Sequence, residues 1–286
     1  MDRSSQPKSG IAAEQRQSLP STLYDESYFL SACEGFQEYT HSEGRQLSRR
    51  LKQAFAMAGI APGMQVLDIG SGRGEIVLHC ARLGAHACGM DFAAAANQLA
   101  IRMLAASSPV EATMGIVQAD AKIVPFPGQC FDRVLMFDIV EHLYPWELHQ
   151  AYRQAHRVLK DDGLLVIHTA PNRWYDRYAY PLVRLYRRIT GEGAVYPKNP
   201  REIIPANLHV HVNEQDFLSL RRGLRQAGFA AKVWLDSPPQ NVRENRLLAT
   251  LRRIAFSWPP FRWFFEREVY AVAWKQPAGR REGEAR

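Results

Sequence analysis

The sequence predicts an α/β domain in which helices cover both faces of a mostly parallel sheet. Short apolar runs, typical of buried strands, alternate with segments of helical spacing between residues 65 and 169. Several of these runs close on an acidic residue and a turn, as buried parallel strands do at their carboxyl ends. A chain of 286 residues is long enough for one large domain with insertions.

Five strands and three helices are predicted in this alternating region. The strands are Gln65–Ile69, His86–Met90, Met114–Gln118, Phe131–Phe137 and Gly163–Thr169. The helices are Glu75–Leu83, Ala93–Ala105 and Pro145–Leu159, the last with proline in its first turn. After Pro171 the alternation stops, and it returns with a helix capped by Asn213 and the strands Ala231–Leu235 and Arg267–Trp274.

The domain organisation follows from composition along the chain. Residues 1–20 and 277–286 are polar and without periodicity, which predicts disorder at both ends. Between them we expect a helical N-terminal cap at 21–60 and the main domain at 61–276. Its two insertions, 172–212 and 240–266, are expected on the acceptor side of the site.

Charge and cysteine usage say little about partners. Much of the formal net charge of +7 lies in Arg pairs, which solvated helix faces explain best; a nucleic-acid groove or an anionic membrane surface is the alternative. No apolar run has the length of a transmembrane helix, and none resembles a signal peptide. The four cysteines lack zinc or CxxC spacing, so we expect reduced thiols in a cytoplasmic protein.

A Gly-rich turn follows the first predicted strand, in the segment Val66–Glu75. Its pattern is D-x-G-x-G-x-G, from Asp68 to Gly74, whereas dinucleotide sites carry G-x-G-x-x-G. Position 75 is glutamate, and its carboxylate would repel a diphosphate. The turn therefore favours a ligand with positive charge over a nicotinamide cofactor.

These motifs resemble those of the class I S-adenosylmethionine-dependent methyltransferases, especially the small-molecule enzymes that include the quinone-type group. The likeness is close over Gly63–Ala170 and looser on both flanks. It implies a Rossmann-like, seven-stranded, mostly parallel sheet of order 3-2-1-4-5-7-6, with an insertion after strand five. It also implies S-adenosyl-L-methionine as cofactor and methyl transfer as activity.

The resemblance assigns cofactor-binding roles to residues at the strand ends. It implies that Asp68 helps to hold the amino group, and that Asp91 accepts hydrogen bonds from both ribose hydroxyls. Phe92 would lie beside the adenine. The loop under the methionyl part would consist of Gly70, Ser71, Gly72 and Gly74.

Two further motifs complete the implied cofactor site. Asp120 and Ala121 match the motif whose carboxylate receives the adenine amino group, and Asp138 and Ile139 would close over the methionyl group. Alone, each acid would be interpreted as a turn or cap residue, but the joint spacing of four acids favours the cofactor. Tyr24–Phe29 resembles an N-terminal segment that folds over the cofactor; simple aromatic packing is the alternative.

Three histidines are candidate catalytic residues. His168, at the end of the fifth strand, is the preferred base, whereas His142 is expected to form part of the cofactor-site wall. His209 and His211 alternate in a segment predicted to be extended, and His211 is a candidate for contact with the acceptor. With Glu141 or His142 they could bind a metal, but no metal is expected.

The acceptor is predicted only by class. Trp174–Ile189 and Leu247–Phe265 mix aromatic residues with arginine, as interfacial helices do, although a lid packed on the sheet is favoured. We expect a small, sometimes amphiphilic acceptor: a saccharide, a lipid-linked glycan, a quinone-like lipid or another metabolite. One alternative is a nucleic-acid methyltransferase: Asp138 begins no N/D-P-P-Y/F motif, which disfavours a base-amino enzyme and leaves an RNA enzyme of another type open. The other is a non-catalytic protein with this fold.

Overall fold

A computed structural model describes residues 17–107, 112–191, 196–236, 250, 258 and 261–276. Its seven strands form one sheet of order β3-β2-β1-β4-β5-β7-β6, which confirms the order that the resemblance implies. Only β7 runs antiparallel to its neighbours among these strands. The strands are β1 (Gln65–Ile69), β2 (His86–Asp91), β3 (Met114–Gln118), β4 (Phe131–Phe137), β5 (Leu159–Thr169), β6 (Phe229–Asp236) and β7 (Glu268–Lys275).

Helices cover both faces of the sheet, as the alternation predicts. Buried side chains of α6 and α9 pack on one face, and those of α3 and α4 on the other. The helices are α1 (Glu26–Ser31), α2 (Phe36–Ser42), α3 (Arg49–Met57), α4 (Glu75–Arg82), α5 (Ala94–Ala106), α6 (Pro145–Val158), α7 (Tyr180–Ile189), α8 (Asn207–Val210) and α9 (Phe217–Gln226). A π-helical segment, Tyr175–Ala179, leads into α7, and a short helix, Phe261–Phe265, precedes β7.

The N-terminal region differs in one detail from the predicted boundary at residue 20. Residues 17–20 are described, and they contact α6 through polar groups. Trp146 Nε1 donates to the carbonyl of Gln17 at 3.1 Å, and Ser18 Oγ donates to Glu147 Oε1 at 2.7 Å. Residues 1–16, the 277–286 tail and most of the 240–266 insertion lie outside the described residues.

Two local predictions are wrong. Helix α9 is capped by Asp216, whose carboxylate accepts from the backbone N–H groups of Leu218 and Ser219, while Asn213 donates to the carbonyl of Leu143 instead. The segment around His209 is the helix α8, which is not extended. His209 is therefore exposed and His211 is buried, so the two do not share a face.

Candidate active site

A cavity of about 460 Å³ opens at the carboxyl ends of β1, β2 and β4. This volume lies within the range of roughly 300–1,000 Å³ that is usual for ligand pockets. Ten of the eleven residues assigned to the cofactor from the sequence line it: Asp68, Gly70, Ser71, Gly72, Asp91, Phe92, Asp120, Ala121, Asp138 and Ile139. The eleventh, Gly74, lies at the N-cap of α4.

Two glycines of the loop are required by close packing. Gly70 has φ +77°, and a Cβ there would lie 2.6 Å from Ile139 Cδ1. Gly74 has φ +83°, and a Cβ would lie 2.9 Å from the Cβ of Ala100 on α5. Residues that have a side chain rarely adopt such φ values, so the loop can turn this sharply only with glycine. Gly70 thus brings the loop against the turn after β4, and Gly74 fixes α4 against α5.

Asp91 is buried with its carboxylate held in place by the backbone. Its Oδ2 accepts from the N–H of Gly72 at 3.0 Å, and its Oδ1 accepts from the N–H of Ala93 at 2.9 Å. Each oxygen keeps a lone pair for a ligand hydroxyl. This geometry suits the recognition of two adjacent hydroxyl groups.

Asp68 adds a second buried carboxylate to the same wall. Burial, and then the charges of Asp91 and Glu75, raise the pKa of Asp68 to about 8. Ionising it costs free energy unless a cation compensates for the charge. A ligand with an ammonium and a sulfonium group supplies such compensation, so these residues fit S-adenosylmethionine.

Arg73, which sequence reasoning missed, is the largest fully buried side chain of the described residues. Its guanidinium pairs with Glu75 at 2.9 Å. The pair compensates for the negative charge of Glu75, from which repulsion of a diphosphate was expected. The guanidinium also donates to the carbonyls of Phe29 and Glu34, at 2.5 Å each. Arg73 therefore ties the Gly-rich loop to the N-terminal helices. An arginine inside a glycine loop was the available signal.

The Tyr24–Phe29 segment lies over the cavity. Tyr24, Tyr28 and Phe29 line it, and Tyr24 Oη lies 3.1 Å from His142 Nδ1. The rings of Tyr24, Tyr28 and Phe29 also pack edge-on against one another. The segment thus both lines the cavity and forms an aromatic cluster. His142 is part of the wall, and its position agrees with the role expected for it.

The adenine end of the cavity contains groups that the sequence did not reveal. Lys122 Nζ lies 2.8 Å from both Asp120 Oδ2 and Glu147 Oε1. The lysine thereby occupies one of the two oxygens of Asp120. An adenine amino group would need the other oxygen, Oδ1, which already accepts from the N–H of Lys122 at 2.9 Å and retains a lone pair.

A second, smaller cavity of about 160 Å³ adjoins the first. The two share the side chains of Tyr28, Cys33, Glu34, Asp138 and His142. Much of the remaining wall comes from the 172–212 insertion: Tyr175, Asp176, Tyr180, Tyr196, Pro200, Arg201, Ile203, Ile204, Asn207 and His211. The insertion therefore forms much of the wall of the second cavity.

Asp138 stands where the cavities meet. It has φ +51°, a rare backbone conformation for a residue with a side chain, and its N–H donates to the carbonyl of His168. Its Oδ1 lies 2.8 Å from His168 Nδ1. That ion pair, and a second carboxylate on Glu268, raise the pKa of His168 to about 9 despite burial. The pair holds the pKa of Asp138 below its usual range.

His168 is fully buried and lines neither cavity. An imidazolium in this place stabilises the charge of Asp138 but cannot reach a bound molecule. Its geometry favours an electrostatic role over the proton-acceptor role predicted from the sequence. The reason is the pairing of β5 with β7, which brings Glu268 within 3.5 Å of His168 Nε2.

Arg50, from α3, extends this charge network beneath the second cavity. It lies 3.1 Å from Glu34 and 3.2 Å from Glu268, whose other oxygen accepts from Tyr270 Oη. Acidic and basic groups thus alternate from Glu34 to Asp138. No sequence motif predicts this network of charged side chains, because its members lie far apart in the sequence.

Glu141, His142 and His211 form a cluster at the second cavity. One donor atom from each lies within 4.8 Å of the others, a set that could hold a divalent cation. Burial raises the pKa of Glu141 to about 7, and burial with the charge of His211 lowers that of His142 to about 3. The backbone after His211 is fixed to Glu141, because the N–H groups of Val212 and Asn213 both donate to the carbonyl of Glu141 at 3.0 Å.

Comparison with known proteins agrees with this site. A family model described as a methyltransferase domain matches residues 67–167. Demethylmenaquinone methyltransferase of Tropheryma whipplei is 28% identical over 194 residues, which cover 64% of this chain and 73% of that protein. A sterol 24-C-methyltransferase of Gibberella zeae is 28% identical over 134 residues, 46% of this chain and 34% of its own.

The fold also matches solved structures. That of an S-adenosylmethionine-dependent methyltransferase from Archaeoglobus fulgidus superposes with a TM-score of 0.54 and 21% identity, covering 84% of this chain and 99% of the other. The cavity, its carboxylates and the matched domain define an S-adenosylmethionine-dependent methyltransferase of class I. Within that class, the matched domain is similar to the type 11 methyltransferases.

Proposed function

We propose that this methyltransferase methylates an oxygen or nitrogen atom of a small amphiphilic acceptor bound in the second cavity. The observation that carries the proposal is the wall shared by the two cavities, with Asp138 and His142 on it. A methyl donor in the first cavity and an acceptor in the second would meet there. The tyrosines of the second cavity suit an acceptor with a ring, and the names of the two relatives point to acceptors with apolar bodies.

The cofactor residues belong to the same proposal. Asp91 binds the ribose hydroxyls, Asp68 and Asp138 face the positive charge, and the loop Gly70–Gly74 lies under the methionyl part. Asp120 and Phe92 lie at the adenine end. Support comes from the preset carboxylate of Asp91 and from the buried acid Asp68, whose pKa is raised by burial and by the charges of Asp91 and Glu75.

Calorimetric titration with S-adenosylmethionine tests these roles. We expect Asp91→Ala to weaken binding at least about a hundredfold, since two hydrogen bonds to a charged group contribute roughly 1.5 kcal/mol each. Asp162→Ala, at an exposed position of β5, is the matched control and should bind normally. Equal binding by both variants would refute the assignment of Asp91.

When bound, S-adenosylmethionine supplies a methyl group activated by a sulfonium. After transfer, the rest of the cofactor leaves as a neutral thioether. The protein must align the acceptor, exclude water and accept the proton that an O–H or N–H acceptor loses. His211 is placed for the last task. Its Nδ1 has no hydrogen-bond partner among the described residues, and it lies 3.7 Å from Glu214 Oε1. Glu141 lies close enough to stabilise the imidazolium that forms.

Product formation with phenolic and hydroxylated amphiphiles tests this part, using release of S-adenosylhomocysteine as readout. We expect His211→Ala to lower kcat about a hundredfold or more, the usual contribution of a positioned base, with cofactor affinity unchanged. His209→Ala is the control, because His209 is exposed two residues away. A chelator should leave the rate unchanged. Loss of activity on chelation would assign the cluster to a metal instead.

A further inference from the structure

Helix α7 presents an apolar stripe to solvent. Leu182, Leu185, Tyr186 and Ile189 follow the i, i+3, i+4, i+7 spacing of one helix face, and they are 59%, 57%, 57% and 77% exposed. An amphipathic helix of a globular protein normally turns such a stripe toward the core. In α7 it faces outward, so the helix has an apolar surface that nothing in the described part of the chain covers.

The charge around the stripe is positive. Tyr180–Ile189 contains three arginines and no acidic residue. Arg188 is exposed in the last turn, and Arg177 is exposed just before the helix, whereas the charge of nearby Arg173 is paired with Asp216. Long arginine side chains can reach the headgroups of a bilayer while neighbouring apolar side chains enter it. Basic residues near the surface of an anionic leaflet are attracted to it.

The helix also lies beside the mouth of the second cavity. Tyr180, its first residue, lines that cavity, and its hydroxyl donates to the carbonyl of Pro197 at 2.8 Å. Arg184 Nε donates to the carbonyl of Tyr196 at 3.1 Å, which fixes the opposite side of the helix to the cavity wall. Ile203 and Ile204 line the cavity and are 48% and 41% exposed, so the rim is apolar as well.

We infer that α7 docks on an anionic lipid bilayer, with Leu182, Leu185, Tyr186 and Ile189 in the apolar layer and the exposed Arg177 and Arg188 among the headgroups. The mouth of the second cavity then opens toward the membrane surface, from which a lipid-borne acceptor enters. The docking itself is independent of the acceptor, whereas this route of entry rests on the proposed function. No helix among the described residues is long and apolar enough to cross a membrane, so the contact is peripheral.

Vesicle flotation of the full chain tests the docking without any acceptor. We expect binding to phosphatidylcholine vesicles that contain phosphatidylglycerol and at least tenfold weaker partition onto pure phosphatidylcholine. The double variant Leu182→Ser/Leu185→Ser should bind the anionic vesicles at least tenfold more weakly. Leu218→Ser is the matched control, because Leu218 is 50% exposed on α9, and it should bind as the unmodified protein does.

Three outcomes would overturn the inference. Absence of flotation, with a lowered Tm for the double variant, would mean that residues 237–257 of the same chain cover the stripe. A concentration-dependent dimer that the double variant abolishes would assign the stripe to a second copy. Equal flotation of the double variant and the control would place the lipid contact elsewhere. Calorimetric binding of S-adenosylmethionine, measured in parallel, keeps any of these results separate from a failure of the proposed function.

Discussion

The two cavities that meet at Asp138 are built in different ways. The first is formed mainly by residues within a few positions of a strand end, such as Asp68 and Asp91 in the last two positions of β1 and β2, and Asp138 directly after β4. The second collects residues from distant parts of the chain, including Arg50 before the sheet and Arg267 just before its last strand. Under the proposed function, a common cofactor is held by the repeating geometry of the sheet, and the acceptor by segments added around it.

The charges differ in the same way. The first cavity contains buried acids that a bound cation would compensate, Asp68 above all. At the second cavity, acids and bases already alternate from Glu34 through Arg50, Glu268 and His168 to Asp138. The first is therefore suited to a charged ligand, whereas the second can take an acceptor without net charge. Three substitutions test how separate the two regions are.

The largest effect is expected at Arg73, which joins the loop of the first cavity to the N-terminal helices. Arg73→Met should lower the free energy of unfolding by about 3–5 kcal/mol, because Glu75 is left buried without its partner. Chemical denaturation measures this cost. The double variant Arg73→Met/Glu75→Leu should recover part of it. If the double variant is no more stable than the single one, the ion pair is not the source.

The next effect concerns His168, beneath both cavities. Its pKa of about 9 in the folded protein lies above the 6.5 of an unfolded histidine, so its stabilisation is complete below about pH 6.5 and disappears as the pH rises through 9. Over that window it accounts for a loss of about 3 kcal/mol in the free energy of unfolding. Unfolding of His168→Gln, measured at several pH values, should show a correspondingly smaller decline. An unchanged decline would mean that His168 is neutral.

The smallest effect is expected at Tyr24. Tyr24→Phe removes the hydroxyl that contacts His142 Nδ1 and retains the ring over the first cavity. One such hydrogen bond contributes about 1 kcal/mol to holding the segment closed over the cavity, so its loss should raise the Kd for S-adenosylmethionine by up to about fivefold. Tyr178→Phe, at an exposed tyrosine outside both cavities, provides the comparison. A Kd equal to that of the control would reduce the Tyr24 segment to simple packing.

The sheet and the first cavity were predictable because their signals are local. Buried parallel strands such as β1 and β4 appear as apolar runs, and Asp68 and Asp91 follow from their distance to Gly70 and to a strand end. The partners of His168 were not predictable. Its position at the end of β5 suggested an accessible base, but Glu268 reaches it only because β7 inserts beside β5. The pairing of β5 with β7 has no signal in the sequence around His168, so its contact with Glu268 could not be predicted.

The contacts of Arg73 also determine the order in which parts of the protein can fold during synthesis. Helices α1 and α2 leave the ribosome first, yet the carbonyls of Phe29 and Glu34 bind a guanidinium that is made later. The loop that holds Arg73 follows β1, and β1 takes its central place in the sheet only by pairing with β4. At usual elongation rates the interval between the end of α2 and the end of β4 is roughly 5 to 20 s. Until then the carbonyls of Phe29 and Glu34 lack the fixed guanidinium from which they accept in the folded protein, so α1 and α2 reach their final place only after β4 has joined the sheet.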